Sequence, residues 1–286
     1  RKLAGNIPDS KTIRNLLADL DVLGFSKVKL VMDRGFYSEA NVNSLYKDHL
    51  KFLIAVKTSL TFVRNELDKI YDGFRSFDCY SEKYELYAKT VTTEWNYQLE
   101  RPYKGDTIKD KRRLYIHYYY NIDKAADDEK SFDRNLIELR RELETGKPVA
   151  EHEKAYKKYF TIKTTPVRGT KATINEQAVA KAKRYFGFFS LISNETMDAI
   201  TALDIYRNKD VVEKAFGNLK ERLNMLRTLV SSEQSLDGKL FVEFIALIYL
   251  SYIKKKMQDA GLFGKCTMQG LLDKLDVIEC FEEPGH

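Results

Sequence analysis

Apolar and polar positions alternate with two different periods along the amino-terminal part of the chain. Apolar residues at helical spacing follow Asp9 and predict a helix that ends at Gly24. Two short apolar runs, 27–32 and 51–56, predict strands, and Ser38 opens a predicted helix between them. A helix between two strands is typical of a βαβ unit, so we expect these strands to pair in parallel.

The middle of the chain has a different texture. A helix is predicted over 60–70, and a strongly charged one, whose alternating signs indicate a solvated surface, over 124–145. Strands are predicted over 84–92, 94–99, 113–121 and 156–164. We therefore predict an insertion of mixed, β-containing structure over 58–180, between a first part of the core, 1–57, and a last part, 181–286.

The carboxy-terminal part returns to long apolar segments. Residues 185–193 predict a buried strand, and Ser193 or Asn194 is expected to cap the helix that follows. The most apolar stretch, 241–253, is interrupted by Glu243 and is too short to span a bilayer. We therefore predict a buried core helix there and no membrane partner.

The composition narrows the class of partner. The chain carries 48 Lys and Arg against 42 Asp and Glu, a formal net charge of +6. A positive excess suits a polyanion but does not identify one. The three cysteines form no C-x-x-C pair, which predicts reduced thiols in a cytoplasmic protein. The element pattern predicts an α/β fold with a mixed sheet flanked by helices.

Asp33 is the first candidate for chemistry, because it ends the first predicted strand. The carboxyl ends of parallel strands are where α/β sheets place ligands. An aspartate at such a point is also a common cap of a turn or helix. The sequence leaves both interpretations open.

A polar face on a later predicted helix is the second candidate. Tyr206, Lys209, Glu213 and Lys220 fall within an arc of about 60° if that helix is continuous. Tyr206 could instead precede the helix, in which case the other three share the face. A glutamate between two lysines is also what an ordinary solvated stripe contains.

The run YRNKDVVEKAFGNLK, which begins at Tyr206, resembles the Y-x2-R-x3-E-x6-K signature of DDE-type bacterial insertion-sequence transposases. Tyr206, Glu213 and Lys220 match it in type and spacing. Lys209 stands where the signature has Arg, and Arg207 lies two positions earlier. Lys cannot make the bidentate phosphate contact of Arg, so the chain departs from the signature in chemistry at this position.

Two further segments resemble the same family. Residues 5–12 are similar to its G-N-x-x-D-x-x-T element, and residues 31–36 to its strand-D-[RK]-G-[FL] element around the second catalytic aspartate, here Asp33. The resemblance implies an RNase H-like fold. It also places the first catalytic aspartate before the 5–12 element, so we expect that residue upstream of Arg1 and expect this chain alone to be inactive.

The resemblance implies a DNA-cutting and DNA-joining enzyme. Asp33 and Glu213 would be catalytic and would hold two Mg²⁺ or Mn²⁺ ions. Cleavage at the ends of a mobile element would be followed by strand transfer into target DNA. The implied partners are double-stranded DNA, both terminal repeats and target, and a second copy of the protein, acting in the cytoplasm on the nucleoid. The residues expected to contact DNA phosphates are Tyr206, Arg207, Lys209 and Lys220.

Three questions stay open. Trp95, the single tryptophan, lies in the predicted insertion, where relatives place an aromatic that stacks on a flipped base; packing against a neighbouring strand is the alternative. A decayed or truncated transposase fragment would bind DNA without cutting it. Another RNase H-like nuclease would cut without joining, although the signature that begins at Tyr206 argues against it.

Overall fold

The computed structural model describes most of the chain and divides it into two compact units, Arg1–Tyr206 and Arg207–His286. The described residues are 9–22, 24, 28–101, 105–165, 169–209 and 232–277. The strands are β1 (Lys29–Met32), β2 (Lys51–Val56), β3 (Tyr80–Ser81), β4 (Leu86–Arg101), β5 (Asp106–Tyr120), β6 (Phe160–Thr165), β7 (Gly169–Ile174) and β8 (Phe188–Ser193).

Nine helices are described alongside them. They are α1 (Asp9–Val22), α2 (Glu39–Lys47), α3 (Thr61–Ile70), α4 (Ile122–Glu144), α5 (Glu153–Tyr159), α6 (Glu176–Lys183), α7 (199–209, the described part), α8 (Glu233–Asp259) and α9 (Met268–Leu275). In the described ranges, no helix combines the length and apolar character that crossing a membrane requires.

Six strands form one mixed sheet in the order β1-β2-β8-β5-β4-β3. β1 and β2 pair in parallel, with Met32 opposite Ile54, and α2 connects them. The other neighbours are antiparallel. The parallel pairing expected from the sequence is confirmed, and so is the fold class, an α/β fold with helices around a mixed sheet, consistent with the RNase H-like fold.

The sheet buries both of its faces, because successive side chains of a strand point to opposite sides. Phe52 and Ile54 of β2 share a core cluster with residues of α2 and α3, whereas Leu53 shares another with Ala202 and Leu203 of α7. This explains the unbroken apolar run of 51–56 in the sequence.

Two neighbouring tyrosines of β5 attach helices to the two faces. The hydroxyl of Tyr118 donates to the carbonyl oxygen of Val63 in α3 at 2.6 Å, and the hydroxyl of Tyr119 donates to that of Ala199 in α7 at 2.7 Å. Both tyrosines are fully buried. Each therefore fills the core and at the same time satisfies a polar group inside it.

Long strands β4 and β5 form a hairpin that extends past the rest of the sheet. β8 pairs with β5 from Tyr115 to Tyr120. In the described structure, residues 106–114 of β5 pair with β4 alone. At about 3.4 Å per residue, this two-stranded ribbon projects for roughly 30 Å.

A separate apolar cluster lies within residues 122–183. Leu139 of α4, Tyr156 of α5, Phe160 of β6 and Val179 of α6 belong to it, and β6 and β7 form their own two-stranded sheet. This segment begins within the predicted insertion and ends three residues beyond it, whereas β4 and β5, which also lie in the predicted range, extend the main sheet. The boundaries 1–57, 58–180 and 181–286 stay a prediction.

Several local predictions need correction. The predicted strands 84–92 and 94–99 are one strand, because β5 pairs with it without interruption. The predicted strand 156–164 begins only at Phe160, since Tyr156 lies on α5 and is buried in the cluster of residues 122–183. The strand predicted from 185 begins at Phe188, because Gly187 has a φ of +79°.

The second unit contains α8 and α9. The predicted helix over 241–253 is part of α8, but its predicted burial is wrong: Phe241 is 65% exposed and Tyr249 65%, whereas Glu243 is only 6% exposed. The other elements in the described part of this unit are α9, one 3-10 turn and the last residues of α7, 207–209.

Gly187 allows α4 and β8 to approach closely. Its N–H donates to Asp128 Oδ2 at 2.9 Å, and a β-carbon there would lie 2.7 Å from the Ala125 β-carbon. We predict that Gly187→Ala lowers the free energy of unfolding by about 2–4 kcal/mol, from its positive φ and from steric overlap.

Gly146→Ala is the matched control for that substitution. Gly146 has a φ of +68° but open space around it, so we expect a loss of only about 1 kcal/mol. Denaturant unfolding measures both values. Equal losses in the two variants would show that the contacts of Gly187 contribute nothing.

His117 makes stability depend on pH. It is fully buried in β5, its Nδ1 lies 2.9 Å from Thr90 Oγ1, and burial lowers its pKa from 6.5 to about 4. Between these two pH values, His117 therefore binds a proton in the unfolded chain but stays neutral in the folded protein. Stability is fully present above pH 6.5 and falls by about 3 kcal/mol as the pH drops to 4.

His117→Gln isolates this proton from those of the carboxylates. We expect the free energy of unfolding of the variant to fall less steeply between pH 6.5 and 4. The difference between the two slopes should correspond to the uptake of up to one proton on unfolding. Denaturant unfolding at a series of pH values gives both slopes. Identical slopes would mean that His117 is protonated in the folded protein.

Candidate active site at the end of strand β1

Asp33 is the first residue after β1, and its side chain is exposed. Its Oδ1 accepts a hydrogen bond from the Arg34 N–H at 2.9 Å, and its carbonyl oxygen accepts one from the Phe36 N–H at 3.0 Å. Asp33 thus caps the short 3-10 helix Arg34–Phe36. The capping role and the position at a strand end, which the sequence left as alternatives, occur together.

The turn after Asp33 is held from below by Asn41 of α2. The Asn41 side-chain amide donates to the Phe36 carbonyl oxygen at 2.8 Å. The backbone N–H of Asn41 donates to Ser38 Oγ at 3.1 Å. Asn41 is only 3% exposed. A buried amide bonded to the backbone restricts how far the turn can shift. In the sequence, Asn41 is marked by nothing except its place three residues after a capping serine.

Helix α7 begins later than the sequence predicts. Asp198 caps it, accepting bonds from the N–H groups of Ile200 and Thr201, both at 2.9 Å. Hydrogen bonds from Thr201 lower the pKa of Asp198. Neither predicted cap acts as one. Ser193 is the last residue of β8, and the Asn194 side chain bonds the backbone of Phe52 in β2 and of Leu50, which lies just before β2.

Two anchors fix the direction of α7 over the sheet. Tyr119 holds its first residue, Ala199. One turn later, Asp204 accepts a hydrogen bond from Lys83 Nζ at 2.7 Å and another from the Tyr84 hydroxyl. These donors, Lys83 foremost, lower the pKa of Asp204. The segment before β4 and the sheet thus both determine where α7 points.

Tyr206, the first residue of the run YRNKDVVEKAFGNLK, contacts Asp33. Its hydroxyl donates to Asp33 Oδ1 at 2.8 Å, joining residues 173 positions apart along the chain. The ring is half-buried and packs against the cluster around Leu53 and Leu203. Packing therefore holds the hydroxyl in place, and the bond to Asp33 restrains the carboxylate.

The other candidate residues in the run that begins at Tyr206 divide into two groups. Arg207 is exposed and Lys209 half-buried at the described end of α7, and both belong to the second unit. Glu213 and Lys220 lie outside the described residues. The convergence of Asp33 and Glu213 therefore stays a prediction.

Trp95 is a core residue in this structure. It is 7% exposed, its indole N–H donates to Asn43 Oδ1 at 2.8 Å, and its ring meets that of Phe62 edge-on at 5.6 Å. A ring in this position has no open face for an unpaired base. Of the two alternatives for Trp95, packing is the one observed.

The chemistry of Asp33 fits a hard divalent cation. Mg²⁺ prefers carboxylate oxygens and retains several waters, and an exposed carboxylate at the end of a strand offers both oxygen and access. Among the described residues there is no group of three or more His, Cys, Asp or Glu side chains placed to hold a metal. Further ligands to such an ion would have to come from elsewhere, Glu213 being the predicted one.

The comparison with known families agrees with these motifs. No curated protein matches the chain. A family model described as the transposase DDE domain matches residues 2–249, which include Asp33, Tyr206 and Glu213. With most of its length covered by this match, the chain belongs to the family of transposases with a DDE domain.

Proposed function

We propose that this chain supplies Asp33 and Glu213 as metal-binding carboxylates of a transposase that cuts the ends of a DNA element and joins them to target DNA. The observation that supports this most is the hydrogen bond from the Tyr206 hydroxyl to Asp33 Oδ1. It links the aspartate motif to the first residue of the Y-x2-R-x3-E-x6-K signature in space.

The spacing of the signature extends this link to Glu213. Seven residues separate it from Tyr206, almost two helical turns, so on an unbroken helix both lie on one face and about 10 Å apart along the axis. Because the Tyr206 hydroxyl contacts Asp33, this shared face supports the proposal that Glu213 also lies near Asp33. Asp33 and Glu213 would then share a site.

The reaction consists of two attacks on phosphorus. Water first attacks a phosphodiester at the end of the element, and the 3′ oxygen leaves and takes up a proton. That 3′ hydroxyl then attacks a phosphodiester of the target, whose own 3′ oxygen leaves. Two divalent ions, Mg²⁺ or Mn²⁺, which Asp33 and Glu213 would help to hold, would activate the attacking oxygen and stabilise charge on the leaving one.

The residues of the chain hold the participants in place. Asp33 offers its carboxylate from a turn restrained by Asn41, and Tyr206 restrains its orientation. Arg207, Lys209 and Lys220 are proposed to contact phosphates near the bond that breaks, by charge and hydrogen bonds. The substrate is double-stranded DNA, and joining two ends to one target calls for a homodimer.

Removing either carboxylate should abolish the chemistry. We expect Asp33→Asn and Glu213→Gln each to lower Mg²⁺-dependent cleavage of a terminal-repeat oligonucleotide by a factor on the order of 10³, because an ion contributes several kcal/mol to the transition state. DNA affinity should change little. The measurement is the cleavage rate of the purified full protein under single-turnover conditions.

The matched control is Asp110→Asn, which removes an exposed carboxylate from β5. This variant should cut DNA at the normal rate. Cleavage that survives Asp33→Asn would reject the proposed site. A wild-type protein that binds the oligonucleotide but never cuts would be a decayed transposase, and one that cuts but never joins would be another RNase H-like nuclease.

Tyr206→Phe tests the positioning of Asp33. The variant keeps the packed ring and loses one hydrogen bond to a carboxylate, so we expect cleavage to fall by about tenfold or more with unchanged DNA affinity. Tyr84→Phe removes a similar bond to Asp204 on the same helix and should reduce cleavage less. If Tyr206→Phe instead weakens DNA binding in a salt-dependent way, its hydroxyl contacts phosphate rather than positioning Asp33.

A further inference from the structure

A groove of about 780 Å³ opens in the first unit. The end of β2, the start of β8, and helices α4 and α6 contribute to its lining, and so does Arg34, the residue after Asp33. All of it belongs to the first unit. The site proposed for Asp33 and Glu213 does not use this groove.

The groove is strongly basic. One carboxylate lines it, that of Asp128, which pairs with Lys124 at 2.7 Å and accepts a hydrogen bond from Gly187. The six cationic residues in its lining are Arg34, Lys57, Arg64, Lys124, Lys158 and Lys181. Five positive charges therefore remain after that ion pair. The positive excess of the whole chain is modest, so this is a high local concentration of positive charge.

Arg64 is the most constrained of these cations. Its guanidinium lies over the Tyr185 ring, 4.8 Å from the centroid, and its Nε is buried without a hydrogen-bond partner among the described residues. A buried donor left unpaired costs about 1–3 kcal/mol. Because that Nε has no accessible surface, a phosphate in the groove could meet only the terminal nitrogens of Arg64, and a guanidinium is the side chain best suited to such a contact.

Part of the groove lining is apolar and aromatic. Phe186 packs edge-on against Phe132, with ring centroids 5.3 Å apart, and Phe189 stacks on Tyr119 at 4.8 Å. Phe132, Phe186 and Phe189 are half-buried, so each also presents surface to the groove. Cations and aromatic rings in one lining are the combination that binds unpaired nucleic acid strands.

The direction of the groove follows from the sheet. β1 and β2 run in parallel with Met32 opposite Ile54, so Asp33 and the residues that follow β2 lie at the same edge. Lys57, directly after β2, and Arg34, directly after Asp33, are both in the lining. The groove therefore reaches the edge of the sheet at which β1 ends and Asp33 lies.

We propose that this groove binds the backbone of a single, unpaired DNA strand leading to or from the bond cut at Asp33. Its volume is in the range of pockets for small molecules, about 300–1,000 Å³, which suits a few nucleotides of one strand and not a duplex. The proposal rests on the proposed function for the position of the cut, but not for the binding itself.

Neutralising three exposed lysines tests the groove. We expect the triple variant Lys57→Gln, Lys158→Gln, Lys181→Gln to bind a duplex with a single-stranded tail at least about tenfold more weakly. The slope of log affinity against log salt should fall by about 2, at roughly 0.7 per phosphate contact of a single strand. Fluorescence anisotropy in EDTA measures both quantities without cleavage.

The matched control is Lys89→Gln, Lys109→Gln, Lys147→Gln, which removes the same charge from exposed positions outside the groove. Thermal unfolding should be unchanged in both triple variants, since all six side chains are exposed. Normal binding of the tailed duplex by the groove variant would overturn the proposal. So would equal losses on tailed and blunt duplexes, or equal losses in the control.

The two proposals can fail separately. If the groove variant loses binding of the tailed duplex while the wild-type protein never cuts DNA, the groove proposal stands. The proposed chemistry at Asp33 is then rejected. A groove variant that binds and cuts like the wild type, in a protein whose cleavage depends on Asp33, would reject the groove alone.

Discussion

Tyr118 and Tyr119, side by side on β5, bond to helices on opposite faces of the sheet. The bond from Tyr119 to Ala199 attaches the first residue of α7 to the sheet, and the bonds to Asp204 attach the helix a second time further along. Because a helix is stiff, two fixed points leave little freedom to the third, Tyr206. The contact between Tyr206 and Asp33 therefore depends on the centre of the sheet as much as on β1. The position of the candidate active site is a consequence of how α7 is attached.

Local patterns predicted the elements near Asp33 well. An unbroken apolar run can only be a strand buried on both faces or part of a buried helix, and the run 51–56 was too short for a helix. Parallel pairing followed from the helix between the two strands, and with it the place of Asp33 at a strand end. The start of α7 was missed, because Ser193, Asn194 and Asp198 are all good caps. Which of them acts depends on where β8 stops, and pairing with β2 and β5 decides that.

Contacts between distant segments were beyond the reach of the sequence pattern. The apolar run 241–253 is typical of a buried helix, yet burial requires another element to cover it, and no pattern within the run reveals that element. The bonds of Asp204 to Lys83 and Tyr84 join segments about 120 residues apart, without any local feature that marks them. The groove is of the same kind, since its cations come from five separate segments of the chain and become a cluster only in the fold.

The projecting ribbon of β4 and β5 leaves backbone N–H and C=O groups along one side of β5 without a neighbouring strand among the described residues. Such an edge is a template on which another polypeptide can add a strand, and a long uncharged edge of this kind promotes aggregation. Residues 106–113, DTIKDKRR, carry six charges, and all but the half-buried Ile108 are exposed. A second copy that approached this edge in antiparallel register would have to desolvate those charges. The composition of the ribbon thus protects the protein against self-association into fibres at the place where its sheet is most open.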